Sequence, residues 1–415
     1  MELARTRPRP PVRALHLGLG NFFRAHQAVF TAHSDPEWGI AAFTGSSPRA
    51  ALAMERQDCV YTVDVRSAEG DTYEQCEAIA AAHPADNHAA WTGYWADPAV
   101  HYLTITVTEA GYRPRSGVDT RILAGLQARR DADAGPISLI PCDNLPSNAG
   151  VLRRLLTDLA ERIDPGLLPW MDANVGFVST TVDRITPATS EADRQRVATA
   201  LGVRDEMPVV TEPYAEWVLS DTFAGQRPAL ETAGAVITDD VHPYEARKLT
   251  LLNGAHSLLA YVGSLRGHTT VAEAIADPAC REWVLRWWAE AGPHLSFESQ
   301  GYQDALLLRF ANPAIAHQLT QVAMDGSQKL PVRLVPTIRA ERDAGRIPQV
   351  AIRILAAWIV YLRDDPAPDP KRELLVHLAN QPLGQAVPSL LAVIDQELPD
   401  DHEFVEAVLH DAARL

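Results

Sequence analysis

Short apolar runs alternate with amphipathic stretches through the first 240 residues. The run Ala-Leu-His-Leu-Gly-Leu-Gly at 14–20 predicts a strand that enters a glycine turn, and residues 21–32 then show a helical pattern. Further strands are predicted at 40–44, 101–107, 137–140 and 175–182, and helices from Arg49 onward and over 149–163. Strands that alternate with helices are typical of a parallel sheet with helices on both faces.

Beyond residue 240 strand-like runs become scarce and helical periodicity dominates. Helices are predicted at 244–265, 279–291, 302–310, 347–363 and 404–415. The fold class expected is therefore α/β, with a Rossmann-type N-terminal domain over 1–240 and a mostly α-helical C-terminal domain over 241–415.

Composition limits the kinds of molecule that the protein is expected to bind and where it is expected to work. The 415 residues carry a formal net charge of -16, which disfavours nucleic acid and anionic membranes. No apolar run is long enough for a transmembrane helix, and residues 1–11 do not resemble a secretory signal, so we expect a cytoplasmic protein. The cysteines (Cys59, Cys76, Cys142 and Cys280) form no C-x-x-C pair and no evident zinc ligand set, so reduced thiols and no metal are expected.

Lysine is rare in this chain. Of 37 basic residues only Lys248, Lys329 and Lys371 are lysines. Arginine does not give up its proton in a protein, whereas lysine does so in a suitable environment. Lysine chemistry at one of these positions is therefore a hypothesis, with chance as the alternative.

The glycine turn suits a dinucleotide. Gly18 allows a tight turn after the strand, and Gly20 lets backbone N–H groups approach a pyrophosphate at the start of a helix. The third glycine of the usual fingerprint is absent, since Phe23 and Arg24 stand in that region. A purely structural turn remains an equal alternative on this motif alone.

The second predicted strand leaves the choice between NAD and NADP open. It is followed by Thr-Gly-Ser-Ser-Pro-Arg at 44–49, without the acidic residue that binds the free ribose hydroxyls of NAD. Ser46, Ser47 and Arg49 can instead hold a 2′-phosphate, unless Arg49 simply begins a solvated helix.

The segment from Lys248 to His256 has the residue types that alcohol oxidation needs. On an α-helix Asn253 lies about 140° and His256 about 80° around from Lys248, within one broad sector. A neutral lysine accepts a hydroxyl proton, and Asn and His hydrogen-bond the oxygen as its charge changes. A helix whose polar residues face solvent is the alternative that spacing alone favours.

A series of motifs resembles the mannitol dehydrogenase family of polyol-specific long-chain dehydrogenases. The motifs are LHLGLGNFFRAHQA at 15–28, QD at 57–58 with YT at 61–62, TEAGY at 108–112, CDNLPSN at 142–148, VDRITP at 182–187, TEP at 211–213, KLTLLNGAH at 248–256 and DGSQKLP at 325–331. They occur in family order over most of the chain, which makes the resemblance far more specific than the glycine turn.

The resemblance implies zinc-independent hydride transfer between NAD or NADP and a polyol–ketose or aldonate–keto-uronate pair, bound between the two domains. It implies that Lys248 is the catalytic acid/base, that Asn144 and Asn253 hold the reacting oxygen, that His256 contacts substrate, and that Asp183 tunes the lysine or relays its proton. The cofactor would contact Gly18, Gly20, Asn21, Phe22, Ser46, Thr108 and Glu109. Lys329 matches a substrate-side motif. The family is monomeric or homodimeric.

Two departures from the family pattern bear on specificity. Phe23 stands where relatives usually have histidine, and Ser179 replaces an amide before Asp183. Mannitol oxidation and fructuronate reduction therefore compete as reactions, and the second needs cations for a carboxylate, for which Lys329, Arg309 and Arg333 are candidates. A non-catalytic dinucleotide-binding sensor is the alternative function, and a dehydrogenase of the 6-phosphogluconate type is a third.

Overall fold

The computed structural model describes residues 3–297, 299–364 and 366–415, with the side chains of residues 109 and 110 outside that description. The chain divides into two compact units, Met1–His242 and Pro243–Leu415. None of the described helices is long and apolar enough to cross a membrane.

The first unit contains the strands. They are β1 (Val12–Leu17), β2 (Gly39–Phe43), β3 (Tyr61–Ser67), β4 (Gly70–Cys76), β5 (Ile79–His83), β6 (Tyr102–Ile105), β7 (Ile137–Pro141), β8 (Val175–Phe177), β9 (Thr180–Asp183), β10 (Val209–Thr211), β11 (Glu216–Ser220) and β12 (Val236–Thr238). Most are short and rich in apolar residues, as expected of strands covered on both faces.

Within the described residues the main sheet has six strands in the order β5-β2-β1-β6-β7-β8, all parallel. Numbered within this sheet the strand order is 3-2-1-4-5-6, which is the order of a Rossmann fold. Successive strands are added on one side of β1 and then, from β6 onward, on its other side, so the switch point lies between β1 and β6. Ligands of such sheets bind beyond the carboxyl ends of the strands at that switch point. The predicted fold class is confirmed.

Helices cover both faces of this sheet. In the first unit they are Asn21–Ala25, Gln27–Ser34, Arg49–Arg56, His88–Trp95, Val118–Asp131, Asn148–Ile163, Leu167–Asn174 and Glu191–Leu201, with 3₁₀ turns at Glu109–Tyr112 and Leu230–Ala233. Side chains of β1 alternate between two apolar cores, with Ala14 in one and Leu15 and Leu17 in the other. The strand therefore buries side chains on both faces, which include the polar His16.

Two small sheets complete the first unit. The hairpin β3–β4 pairs with β10, and β9 pairs antiparallel with β11, which pairs in turn with β12. The sequence did not predict the hairpin, because polar residues alternate irregularly along β4. It also predicted one strand at 175–182, where the structure has β8 and β9 in different sheets.

The second unit is helical. Its helices after His242–Arg247 are the π-helical segment Lys248–Asn253, Gly254–Leu258, the π-helical segment Leu259–Gly263, Val271–Ala276, Pro278–Ala291, Gln300–Phe310, Leu319–Ala323, Gly326–Asp343, Gln349–Tyr361, Arg372–Ala379, Leu383–Ile394 and His402–Ala412, with 3₁₀ turns at Gly292–His294, Pro313–Ile315 and Leu398–Asp400. Trp287, Trp288 and Trp358 are buried in its core.

One predicted helix differs from the structure, and one long helix was not predicted. The helix expected over 21–32 is broken at His26, whose backbone angles (φ -124°, ψ -86°) are not helical. The helix Gly326–Asp343, which contains Pro331 and Pro336, was not predicted. Tertiary packing overrides both local patterns.

Candidate functional site

The glycine turn lies at the switch point of the main sheet, directly after β1. Gly18 has φ +111°, and a Cβ added there would lie 1.8 Å from the carbonyl oxygen of Thr106. Its N–H donates to the carbonyl of Phe43 at 2.9 Å. At Gly20 an added Cβ would meet only the Gly18 carbonyl oxygen, at 3.6 Å. The fold requires glycine at the first position, whereas the second leaves open space that a pyrophosphate can fill.

His16 and Phe23 brace this turn. The rings stack at 3.4 Å between centroids with an interplanar angle of 6°. The two imidazole nitrogens of His16 lie 2.8 Å from Thr104 Oγ1 and 2.9 Å from the Gly18 carbonyl oxygen. Burial lowers the pKa of His16 to about 3. The phenyl ring at position 23 therefore has a packing role beneath the turn, against a neutral imidazole.

A cavity of about 580 Å³ opens above the turn. Its lining includes Gly18, Gly20, Ser46 and Thr108, four of the residues predicted to contact the cofactor. The side chain of Glu109 lies outside the described part of the structure. A nicotinamide dinucleotide fits the donor set here, since the lining combines backbone N–H groups, hydroxyls and Arg49.

Asn21 and Phe22, also predicted as cofactor contacts, do not line that cavity. The amide of Asn21 donates to the carbonyl oxygen of Pro187 at 3.3 Å and accepts from Arg24 Nη2 at 2.6 Å. The ring of Phe22 stacks on His26 at 5.0 Å. These contacts hold the helix that follows the turn, so a direct contact with cofactor stays a prediction for both.

Asn144 lies in the exposed loop that follows β7, and its neighbour Asp143 holds that loop. The carboxylate of Asp143 accepts from the backbone N–H of Val107 and Thr108 at 3.0 and 2.8 Å and from the hydroxyl of Tyr112 at 2.7 Å. The sequence did not single out Asp143, although it lies within the CDNLPSN motif. The same acid thus positions both Asn144 and the backbone of Thr108, which has φ +65°.

Asp183 is the buried last residue of β9. Two contacts tie this strand to its neighbours: Asn148 Nδ2, from helix Asn148–Ile163, donates to the Thr180 carbonyl at 2.9 Å, and the backbone N–H of Ser179 donates to Ser220 Oγ at 2.9 Å. The backbone of Ser179, the departure from the family pattern, therefore connects β9 to β11.

In the second unit, Lys248 and Asn253 are the first and last residues of a π-helical segment. Such a segment hydrogen-bonds from residue i to i+5, so Asn253 lies about one turn beyond Lys248 on the same side. The separation of about 140° expected from α-helical geometry is wrong. The indoles of Trp287 and Trp288 donate to the carbonyls of Thr250 and Leu251 at 2.9 and 3.0 Å.

Lys248, Asn253 and His256 are all buried, with at most 9% of each exposed. Among the described residues Asn253 Nδ2 and His256 Nε2 have no hydrogen-bond partner. Burying a polar atom without a partner costs about 1–3 kcal/mol, and such atoms call for a functional explanation. A hydroxylated ligand that accepts from Asn253 and bonds to His256 supplies one.

Cationic side chains surround His256. Burial chiefly lowers its pKa well below the ordinary value, and the charges of His317, Arg333, Arg309 and Lys329 lower it further. Arg333 Nη1 donates to the Asn253 carbonyl at 3.2 Å and to Ser257 Oγ at 3.0 Å. Arg333 therefore positions Asn253, whereas it was predicted only as a partner for substrate.

His317 was not predicted as a site residue. Its ring meets that of His256 edge-on at 5.3 Å, and its buried Nδ1 has no partner among the described residues. Burial and the charge of Lys329 lower its pKa. It lies 61 residues from His256 in a segment without periodicity, so only the tertiary structure brings the two together.

One group of possible metal ligands occurs in the described part of the chain. His268, Asp277 and Cys280 have ligand atoms within 4.8 Å of one another. Arg266 Nε lies 2.6 Å from Asp277 Oδ2, and His268 Nε2 lies 2.9 Å from the same oxygen. The arginine already supplies the positive charge there, and Asp277 caps the start of helix Pro278–Ala291.

A parallel sheet in this order, with a glycine turn at its switch point, defines the class of Rossmann-type dinucleotide-binding proteins. Two family models match the chain: "Mannitol dehydrogenase Rossmann domain" over residues 12–232 and "Mannitol dehydrogenase C-terminal domain" over residues 240–415. The chain belongs to the mannitol dehydrogenase family.

Similar proteins with named activities belong to the same family. D-mannonate oxidoreductase of Escherichia coli is 31% identical over 95% of this chain and 91% of its own length. Mannitol 2-dehydrogenase of Cereibacter sphaeroides is 35% identical over 86% and 83%. The structure of Pseudomonas fluorescens mannitol 2-dehydrogenase with NAD and D-mannitol superposes with a TM-score of 0.85 at 31% identity, covering 100% of this chain and 97% of that one.

The family confirms the predicted activity. The protein is an NAD(P)-dependent oxidoreductase that interconverts a polyol or aldonate with the corresponding ketose or keto-uronate, acting on a secondary alcohol. Nothing in the comparisons supports the non-catalytic sensor. The individual site residues, the domain bounds, the cytoplasmic location and the monomeric or homodimeric state stay predictions.

Proposed function

We propose that the substrate is a sugar acid, an aldonate converted to its keto-uronate or the reverse, as in the mannonate–fructuronate pair. The observation that carries this proposal is the surroundings of His256. Arg309 and Arg333 are buried, and Arg333 Nη1 donates to Ser257 Oγ, next to His256, at 3.0 Å. The charged side chains that lower the pKa of His256 are all basic. A carboxylate on the substrate gives buried Arg309 a partner of opposite charge, which a neutral polyol does not.

Within this proposal Lys248 is the acid/base. It accepts the proton of the reacting hydroxyl as the carbon gives up hydride, and returns it in the reverse direction. When bound, the cofactor's nicotinamide takes up or supplies that hydride. The amide of Asn253 donates to the reacting oxygen, whose negative charge grows as the proton leaves.

His256 orients the substrate as a neutral imidazole. Its lowered pKa keeps it uncharged in the working pH range, so one ring nitrogen donates and the other accepts. A hydroxyl next to the reacting carbon matches that pair of requirements. For Asn144 as a second amide and Asp183 as a proton relay, the proposal rests on the family resemblance.

The substrate class is tested by steady-state kinetics on D-mannonate and D-fructuronate beside D-mannitol and D-fructose, with both cofactors. We expect kcat/KM for the acid pair to exceed that for the neutral pair by about 100-fold, the scale of one desolvated charge-assisted contact. A preference for mannitol or fructose contradicts the proposal.

The variant Arg309→Gln distinguishes a loss of binding to the substrate's carboxylate from a general loss of activity. Removing the buried cation is expected to raise KM for the acid about tenfold or more, and to change turnover of a neutral polyol by less than threefold. Arg346→Gln is the matched control, because Arg346 lies in the same unit and pairs with Glu341 away from His256. Equal losses on acid and neutral substrates would count against the assignment.

Lys248→Ala tests the acid/base. We expect turnover to fall by at least three orders of magnitude while the affinity for cofactor changes little, because the amine acts only in the chemical step. The exposed Lys371→Ala serves as the control lysine. Near-normal turnover of Lys248→Ala would remove lysine from the mechanism.

A further inference from the structure

The loop after β2 offers no carboxylate to a ribose. No Asp or Glu occurs between Trp38 and Met54. The next acid, Glu55, accepts from the backbone N–H of Ala82 at 2.7 Å and from the thiol of Cys59 at 3.2 Å. In Rossmann folds an acid at the end of the second strand binds the free 2′-hydroxyl of NAD and repels a 2′-phosphate. Both effects are missing at this position.

Two adjoining cavities meet at this loop. The cavity above the glycine turn shares Gly45, Ser116 and Val118 with a second one of about 440 Å³. Among the described residues that line the two cavities there is neither Asp nor Glu, whereas Arg49 lines the first and Arg121 the second. The lining is therefore basic where the adenosine half of a dinucleotide is expected.

Arg121 lies beneath the loop. Its guanidinium stacks over the rings of Trp91 and Phe43, at 4.5 and 5.1 Å from their centroids, and Nη1 donates to the Thr44 carbonyl at 3.1 Å. Its Nε and Nη2 are buried without a partner among the described residues. Burial lowers its pKa to about 10, so it remains charged at neutral pH.

The carboxylate that partly offsets this charge is not among the residues that line the cavities. Asp86 raises the pKa of Arg121, but less than burial lowers it. Asp86 is exposed and lines neither cavity. The positive charge under the loop thus acts on whatever occupies the cavity.

Above Arg121, the loop presents Ser46, Ser47 and Arg49, all exposed. Ser46, Ser47 and Arg49 line the same cavity as Gly18 and Gly20. Arg49 belongs to the first turn of helix Arg49–Arg56, and its backbone N–H meets Ser47 Oγ at 3.4 Å. Two hydroxyl donors and a guanidinium around one space are the partners that a phosphate dianion takes.

We propose that this protein selects NADP(H) over NAD(H). The 2′-phosphate of the adenosine ribose is bound by the guanidinium of Arg49 and the hydroxyls of Ser46 and Ser47, above the charge of Arg121. The relative solved with NAD is a separate protein, and for this chain the proposal rests on the side chains that follow β2.

The test measures cofactor affinity without any sugar substrate. Quenching of tryptophan fluorescence in the full-length protein gives the dissociation constants of NADP⁺, NAD⁺, 2′,5′-ADP and 5′-AMP. We expect NADP⁺ to bind at least tenfold more tightly than NAD⁺, and 2′,5′-ADP at least tenfold more tightly than 5′-AMP, which isolates the 2′-phosphate. Equal affinities, or tighter binding of NAD⁺, overturn the proposal.

Two variants locate the contact. Arg49→Gln is expected to weaken NADP⁺ binding about tenfold and to leave NAD⁺ binding within twofold. Ser46→Asp is expected to reverse the preference, because its carboxylate repels the 2′-phosphate and accepts hydrogen bonds from the ribose hydroxyls of NAD⁺. Arg56→Gln is the control, since Arg56 is on the same helix and pairs with Glu206. Equal loss of both cofactors in Arg49→Gln would refute the contact. Because no sugar takes part, the outcome is independent of the proposed substrate.

Discussion

At the scale of single residues, the glycine turn depends on Gly18 and His16. Gly18 cannot carry a side chain, and the buried, neutral imidazole of His16 stacks on Phe23 and contacts the Gly18 carbonyl. Both residues occur in the sequence motif, but the motif gives no reason for the histidine. The structure supplies it: the imidazole bridges β1, β6 and the turn.

The pKa of His16 makes stability depend on pH. The folded protein holds His16 neutral down to about pH 3, whereas the unfolded chain takes up a proton below about pH 6.5. Stability is therefore complete above about pH 6.5 and falls as the pH drops toward 3, by about 2 kcal/mol at pH 5. Urea unfolding at pH 8 and pH 5 measures this difference.

The variant His16→Asn should reduce that pH dependence by about the same 2 kcal/mol. His402→Asn, at an exposed helix start, is the comparison and should keep the wild-type dependence. An unchanged slope in His16→Asn would mean that other groups account for the acid sensitivity.

Gly18→Ala should abolish cofactor binding. The added methyl group overlaps the Thr106 carbonyl and the left-handed backbone is strained, so the turn must move and the protein should lose about 1–3 kcal/mol of stability. Gly93→Ala, in an exposed helical position with nothing within 4 Å, should be neutral or slightly stabilising. Cofactor titration and thermal unfolding of both variants measure these effects. Tight cofactor binding by Gly18→Ala would show that the turn can accommodate a side chain.

At the scale of elements, the π-helical segment Lys248–Asn253 decides how the proposed catalytic side chains are presented. Widening the helix aligns Lys248 with Asn253, and the carbonyls of Thr250 and Leu251 accept hydrogen bonds from the two tryptophan indoles. Gly254, next in the motif, permits this, because its Cα lies against the indole of Trp287. The glycine of the motif is thus a packing requirement.

Gly254→Ala should loosen this segment. A Cβ at this position would lie 2.5 Å from Trp287 Nε1, so the indole must move and weaken its bond to Thr250. We expect a loss of about 1–3 kcal/mol and a lower kcat, since Lys248 and Asn253 lose their alignment. Gly301→Ala, helical with nothing within 4 Å, is the control. Wild-type stability and kcat in Gly254→Ala would contradict this account.

At the scale of the whole molecule, a strongly acidic protein keeps local basic regions for anionic ligands. The net charge is -16, yet the lining of the cofactor cavities and the surroundings of His256 are basic. Net charge therefore disfavours polyanionic partners but is silent about small anions, because an anion held by buried cations feels those nearest charges most strongly.

Cofactor binding should stabilise the folded protein by mass action. A ligand at about 100 times its dissociation constant adds about 2.7 kcal/mol to the free energy of unfolding. At equal concentrations NADP⁺ should therefore raise the melting temperature more than NAD⁺ does, by calorimetry. A larger shift with NAD⁺ would contradict the preference proposed from the loop after β2.

The sequence by itself determined the class of fold, the family and the identity of the chemical groups. Apolar strands alternating with helices require a parallel sheet, and motifs as long as those around Gly18 and Lys248 do not recur by chance. These features are local, so they can be recognised along the chain.

Only the tertiary structure decided how those groups are presented. The π-helical widening after Arg247, the approach of His317 to His256, the use of Arg333 to hold Asn253 and the position of Arg121 under the cofactor loop all depend on contacts between distant residues. The local pattern of helical or polar residues does not predict these contacts, because each one depends on how several segments of the chain pack together.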